Sequence, residues 1–201
     1  VIMGEESQAS PQAGNQLEWV IDPIDGTVNF SHGLPFWCCS IAVRHQGKSL
    51  AGAVYAPELD ELYTASLEAP AQCNGRPIRV SSCNTLADAI VLTGMDKTND
   101  PNIPPLELFR TIAAHTQKAR ILGSAALDMC HVAAGRAEAY FESGVYVWDV
   151  AAAGLICEQA GGQSELLRPL PDHRIQFLST NRLIHAPLKD LIEGVMVRAS
   201  R

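Results

Sequence analysis

The 201 residues contain no CxxC pair and no zinc-like cysteine spacing, although cysteines stand at 38, 39, 73, 83, 130 and 157. A zinc module and a paired-thiol redox motif are therefore excluded, and the cysteines are expected to be reduced and structural. No apolar run approaches the roughly 18 residues that a bilayer-spanning helix needs, so no membrane partner is expected. No cluster of Lys and Arg occurs, and the formal charge is −7. That balance argues against a binder of nucleic-acid phosphate backbones and leaves metal ions as the plausible partners for any phosphate. The start has neither an initiating Met nor a signal-peptide core, and no repeat or low-complexity tract follows. A cytoplasmic protein is expected.

What is present is ordinary for a globular chain, 47% hydrophobic and 18% charged residues. The length suits one large domain or two small ones. One stretch stands out, Trp19 to Val43, reading WVIDPIDGTVNFSHGLPFWCCSIAV. The run Trp19–Ile21 leads in like a buried strand and delivers Asp22 at a turn. Pro23 fixes its own φ and biases Asp22 toward an extended backbone, so the spacing of Asp22 and Asp25 is set stiffly. Two hard oxygen ligands followed by Gly26, whose amide can approach closely, suit Mg²⁺ together with a phosphate. Asp-Pro and Asp-Gly are equally ordinary turn dipeptides.

Around this stretch the chain predicts two halves, 1–86 and 87–201, forming one compact unit. In the first, short apolar runs at 37–44, 49–56, 61–67 and 76–80 predict an antiparallel meander. Residues 50–56 are apolar on both faces, which predicts helices on both sides of part of the sheet. In the second, strands at 90–93, 137–141 and 176–179 alternate with helices at 106–117, 125–134, 150–160 and 188–197. Residues 8–16 and 96–105 read as loops. Ser124 is placed as the N-cap of the helix from Ala125, and Asp149 as the opening residue of the helix from Val150. An aspartate there fits a plain cap, Glu142 fits a strand-end surface acid, and Gly4-Glu5-Glu6 fits a solvated acidic end. His32 and His115 are read as non-catalytic, and Trp19 and Trp148 as core residues that position the neighbouring aspartates.

Taken together, Gly4-Glu5-Glu6, then WVIDPIDGTVNF, then WDVAAAGLICEQAGG resemble the motifs of the inositol monophosphatase family, the lithium-sensitive, magnesium-dependent phosphatases related to fructose-1,6-bisphosphatase. The resemblance implies a layered αβαβα sandwich of mixed α/β class. It also implies a helix pair ahead of Gly4 that this sequence does not contain, so a truncated chain with one bare apolar sheet face is expected. By matching positions it implies that Glu5, Asp22 and the Ile24 carbonyl hold one Mg²⁺ and that Asp22, Asp25 and Asp149 hold a second. Glu5 lies near a third, weaker ion. Thr27 and Glu5 orient and deprotonate the attacking water, and the amides of Gly26 and Thr27 cradle the phosphate. Asp25, Asp149, Gly123, Ser124, Ala125 and Glu142 meet the substrate. The reaction implied is Mg²⁺-dependent hydrolysis of a sugar or inositol phosphate by a homodimer. Val28 stands where the family commonly has a second Thr.

Overall fold

The computed structural model describes residues 1–5, 16–95, 105–171 and 174–199. β1 (Ile2–Gly4) lies parallel to β2 (Leu17–Asp25), with Gly4 opposite Ile21. From β2 the chain runs on as an antiparallel meander. Its strands are β3 (Cys38–His45), β4 (Lys48–Ala56), β5 (Glu61–Ser66), β6 (Ala69–Cys73) and β7 (Arg76–Pro77), in that spatial order. The short helix α1 (Thr27–Ser31) is inserted between β2 and β3.

The second sheet has the order β11-β12-β10-β8-β9. Its strands are β8 (Ile90–Thr93), β9 (Lys118–Arg120), β10 (Ala139–Tyr146), β11 (Gln163–Pro169) and β12 (Arg174–Thr180). Four longer helices accompany it: α2 (Pro105–His115), α3 (Ala125–Ala133), α4 (Val147–Gln159) and α5 (His185–Ala199). β8 pairs in parallel with both β9 and β10, whereas β12 runs antiparallel to β10 and β11.

Two cores follow from this arrangement. Val20, Val54 and Tyr63 of the first sheet pack with Leu127, Met129, Leu155 and Ile156 of α3 and α4, and with Tyr140 and Phe177 of the second sheet. On the far side of the second sheet, Val91, Phe141 and Leu178 meet Leu108 and Ile112 of α2 and Leu188 and Ile192 of α5. The layers are thus sheet, helices, sheet, helices, in the mixed α/β class the sequence implied. α4 is buried continuously from Val150 to Cys157, as a helix apolar on every side must be. Its small residues set the spacing of the layers: a Cβ on Gly52 would stand 2.8 Å from the Ala152 Cα, and one on Gly154 would stand 3.2 Å from the Phe177 ring.

Several local expectations change. Helices were expected on both faces of the first sheet, but among the described residues only the face toward α3 and α4 is covered. The opposite face carries Trp19 of β2, Tyr55 of β4 and Leu62 of β5, all substantially exposed. Trp19 is therefore no core residue, because strand alternation turns it away from buried Val20. β10 extends to Tyr146, so Glu142 lies within the strand instead of at its end. α4 begins at Val147, so Asp149 sits inside its first turn. β6, β9 and β11 are additional strands that hydrophobic patterning does not mark, since β6 contains Pro70, β9 has three residues, and β11 is a polar edge. Glu6 and most of both predicted loops lie outside the described residues.

Candidate active site

On a regular strand, Asp22 and Asp25 would point to opposite faces, three positions being an odd number of pleats. The pairing with β3 shows why they do not. Asp22 stands opposite Ser40 and Asp25 opposite Cys38, so three steps on β2 match two on β3, and the extra residue forms a bulge around Pro23-Ile24. Both carboxylates consequently face the interior, Asp22 2% and Asp25 8% exposed. The Ile24 amide donates to Asp22 Oδ1 at 3.0 Å, and the Thr27 hydroxyl donates to the Ile24 carbonyl at 3.0 Å, which closes the turn. Gly26 sits between them at φ +90°, and a Cβ there would press on the carbonyls of Phe36 and Gly123. Only glycine meets both demands.

Asp25 reaches across the molecule to the start of α3. Its Oδ2 accepts from the Ser124 hydroxyl and the Ala126 amide, both at 2.7 Å, and its Oδ1 accepts from the Ala125 amide at 3.3 Å. Ser124 occupies the N-cap position but makes no side-chain cap bond, because its hydroxyl is given to Asp25. The cap of α3 is thus a carboxylate 99 residues away, which joins the metal-like turn to the predicted substrate loop Gly123-Ser124-Ala125. Asn29 reinforces the junction, donating to the carbonyls of Phe36 and Leu122 at 2.6 and 2.8 Å.

Asp149 comes from the first turn of α4, where its Oδ2 accepts the Tyr146 amide at 2.8 Å. It is a capping-box residue, not the cap that the sequence suggested. Next to it, Trp148 is half-buried and stacks on Tyr146 with ring centres 4.6 Å apart. Oxygens of Asp22, Asp25 and Asp149 all lie within 4.8 Å of one another, a spacing able to hold a metal ion. Glu5 follows the last residue of β1, beside Asp22 in the parallel register, and remains exposed at the rim.

Burial and mutual repulsion dominate the electrostatics. Burial, then the charges of Asp25 and Glu5, push the Asp22 carboxyl up to about 7. Burial also raises Asp25, opposed by its bonds from Ser124, Ala126 and Ala125. Asp149 is raised well above the usual carboxylate range, first by burial and then by Asp25. Glu142 is pushed up to about 6, again chiefly by burial, although the Tyr140 hydroxyl donating to Oε2 at 2.7 Å opposes this. Among the described residues no ion pair neutralises any of the four. Anions gathered without a counter-charge fit a group that brings positive charge.

The structure therefore brings together Asp22, Asp25, Asp149, Ile24, Gly26, Thr27, Gly123, Ser124 and Ala125, with Glu5 and Glu142 close enough for their charges to be felt. Asp128 is a further carboxylate that motif matching does not reveal. It is 2% exposed in α3, its Oδ1 has no hydrogen-bond partner, and burial, then Asp25 and Glu142, raise its carboxyl well above the usual range. Its one sequence signal is an acid inside the otherwise apolar AALDMCHVA helix. His32 and His115 are exposed and take no part in the cluster.

Comparison with known proteins agrees with this geometry. The chain is 41% identical over 162 residues to the Nus factor SuhB of Pasteurella multocida, matching 80% of this chain and 61% of that protein. It is 40% identical over 161 residues to an inositol-1-monophosphatase of Mesorhizobium japonicum, matching 79% of this chain and 60% of the relative. The chain thus spans 60–61% of the length of these two curated relatives. An inositol monophosphatase structure from Anabaena superimposes with a TM-score of 0.87 at 36% identity, covering 96% of this chain and 78% of that one. The profile of the inositol monophosphatase family matches residues 1–196, from β1 through nearly all of α5. The acidic cluster, the layered fold and these matches agree on one conclusion, that the chain belongs to the inositol monophosphatase family.

Proposed function

We propose that this chain acts as a Mg²⁺-dependent phosphomonoester hydrolase on a small polyol phosphate, with inositol 1-phosphate the leading substrate. The carrying observation is the Asp22, Asp25 and Asp149 cluster, three carboxylates converging beside the start of α1. The donors are carboxylate and main-chain carbonyl oxygens, hard ligands suited to Mg²⁺. In this reading Glu5, Asp22 and the Ile24 carbonyl hold one ion, Asp22, Asp25 and Asp149 a second, and Glu5 borders a third. Bound there, the ions would supply the charge that activates water and stabilises the leaving oxygen.

The chain's own residues do the rest. Thr27 donates its hydrogen to the Ile24 carbonyl, which leaves its oxygen lone pairs to accept a hydrogen bond from the attacking water and so orient it. Glu5, exposed at the rim, takes up the water's other proton. The amides of Gly26 and Thr27 receive phosphate oxygens. On the alcohol side, the Ser124 hydroxyl and the Ala125 amide are engaged with Asp25, so Gly123, Ser124 and Ala125 act through the backbone they shape. Glu142 accepts hydrogen bonds from the substrate hydroxyls. From the family resemblance we propose as well a cytoplasmic homodimer in which Li⁺ competes at a metal site.

Phosphate release from inositol 1-phosphate is expected to require Mg²⁺ and to vanish in Asp22→Asn. Undiminished release without a divalent cation contradicts the proposal. Fructose 1,6-bisphosphate, histidinol phosphate and a 3′-phosphonucleotide are the competing substrates, ranked by kcat/KM in a common panel. The Nus-factor name of the Pasteurella relative favours a second reading, a regulatory binding module. Site variants that abolish hydrolysis yet keep the full cellular role would decide for it.

A further inference from the structure

Glu142 is held by two groups that lie outside the metal cluster. Tyr140 precedes it by two positions on β10, so both side chains leave the same face of the sheet, toward α3. The Tyr140 side chain is fully buried, and its hydroxyl donates to Glu142 Oε2 at 2.7 Å. The other group is Gly94. β8 pairs with β10 in parallel, Thr93 stands opposite Phe141, and the Thr93 hydroxyl donates to the Phe141 carbonyl at 2.6 Å. Gly94, the next residue, is thereby fixed beside Glu142. A Cβ built on Gly94 would overlap the Glu142 carboxyl carbon and both its oxygens. Immediately after Glu142 the strand shifts register against β12, between Ser143 and Val145, the kind of irregularity that re-aims a side chain.

We propose that Gly94 and Tyr140 are positioning residues for substrate selection. Tyr140 fixes one oxygen of the Glu142 carboxylate, and the bare Cα of Gly94 is the seat on which that carboxylate rests. The claim rests on the reading of Glu142 as the acceptor of substrate hydroxyls. Gly94 lies outside the left-handed region, so alanine is compatible with the backbone there. The overlap is with the far end of a flexible side chain, so the accommodating movement is rotation of Glu142, with the fold retained. Gly94→Ala is thus a way to displace the carboxylate without changing any ionisable group.

The test uses the Mg²⁺-loaded protein and compares kcat/KM for inositol 1-phosphate with that for phenyl phosphate, which lacks ring hydroxyls. Gly94→Ala and Tyr140→Phe are each expected to lower the ratio of the two by about tenfold, the worth of one hydrogen bond to a charged group. In a Glu142→Ala background neither is expected to lower it further, because both act through that carboxylate. An equal loss on both substrates, or a further fall in the Glu142→Ala background, overturns the proposal. If Glu142→Ala itself leaves the ratio unchanged, the role assigned to Glu142 is what fails. The positioning claim is then decided by the ¹³C carboxyl resonance of Glu142, which both variants are expected to shift and whose constancy overturns it.

Discussion

Glu61 lies in a fork with Arg136, whose Nη1 and Nη2 donate to it at 2.7 and 2.6 Å, while Asp22 faces two further carboxylates and, among the described residues, forms no ion pair. The fork holds Glu61 below the usual carboxylate range, whereas burial and repulsion raise Asp22 to about 7. Glu165 repeats the first pattern, taking Lys189 Nζ at 2.6 Å and His185 Nε2 at 2.9 Å, and Asp128 and Asp149 repeat the second. Thr180, His185 and Glu165 even form a hydroxyl–imidazole–carboxylate chain. Thr180 is fully buried, so the chain ties α5 to the second sheet and no substrate reaches it. The same residue types thus serve as structural clips where a cation is built in, and as a receptive site where it is left out.

Adding or removing charge should separate the two classes, and the largest effect is expected on catalysis. Asp22→Asn removes the ligand assigned to both ions and should cost at least about 10²–10³-fold in kcat, read as phosphate release. Arg136→Ala, by contrast, should leave the metal requirement of that release intact.

Next comes the pH dependence of the metal-free protein. Asp22 and Glu142 keep their protons to about 7 and about 6 when folded, against 3.8 and 4.5 for unperturbed groups. The folded chain therefore binds more protons than the unfolded chain between those values, and stability falls as pH rises through them. Tm of the metal-free protein should drop by about 5–10 °C between about pH 5 and about pH 8, and saturating Mg²⁺ should remove most of that drop. His131, lowered chiefly by burial, acts in the opposite sense below its ordinary pKa and trims the effect.

A smaller effect belongs to Asp128. Asp128→Asn removes a buried carboxyl whose ionised form burial and neighbouring carboxylates oppose, and should raise the metal-free Tm at neutral pH by about 2–4 °C, the equivalent of about 1 kcal/mol. The smallest concerns the clip. Arg136→Ala should cost about 0.5–1 kcal/mol in urea unfolding near neutral pH, since the pair is partly exposed. Glu61 is a lowered carboxyl, so its contribution is present above its unfolded value and disappears as pH falls through the folded one.

Much of this site is legible in the sequence, and for identifiable reasons. Asp22, Asp25 and Asp149 sit in contiguous motifs that resemble those of the inositol monophosphatase family, whereas local geometry alone fits a stiff turn and a plain helix cap equally well. The meander and the α/β half follow from alternation and periodicity. Residues that act across the fold are not legible in this way. Nothing local marks Ser124 as a donor to Asp25 in place of its own helix, or Gly94 as the seat of Glu142, because each depends on a partner tens of residues away. Trp19 is misread for a related reason: an apolar run shows that a strand is buried, but only the register of β2 against β3 shows which face is covered.

The central claim is that the uncompensated carboxylates are held for a divalent cation, and proton-linked binding tests it most directly. Mg²⁺ can be titrated calorimetrically at about pH 7 in two buffers of different ionisation heat, so that protons released on binding are counted. With the Asp22 carboxyl raised to about 7, binding is expected to release protons, and Asp22→Asn is expected to abolish both the binding and the release. Binding without proton release, or binding unchanged in Asp22→Asn, would contradict the account.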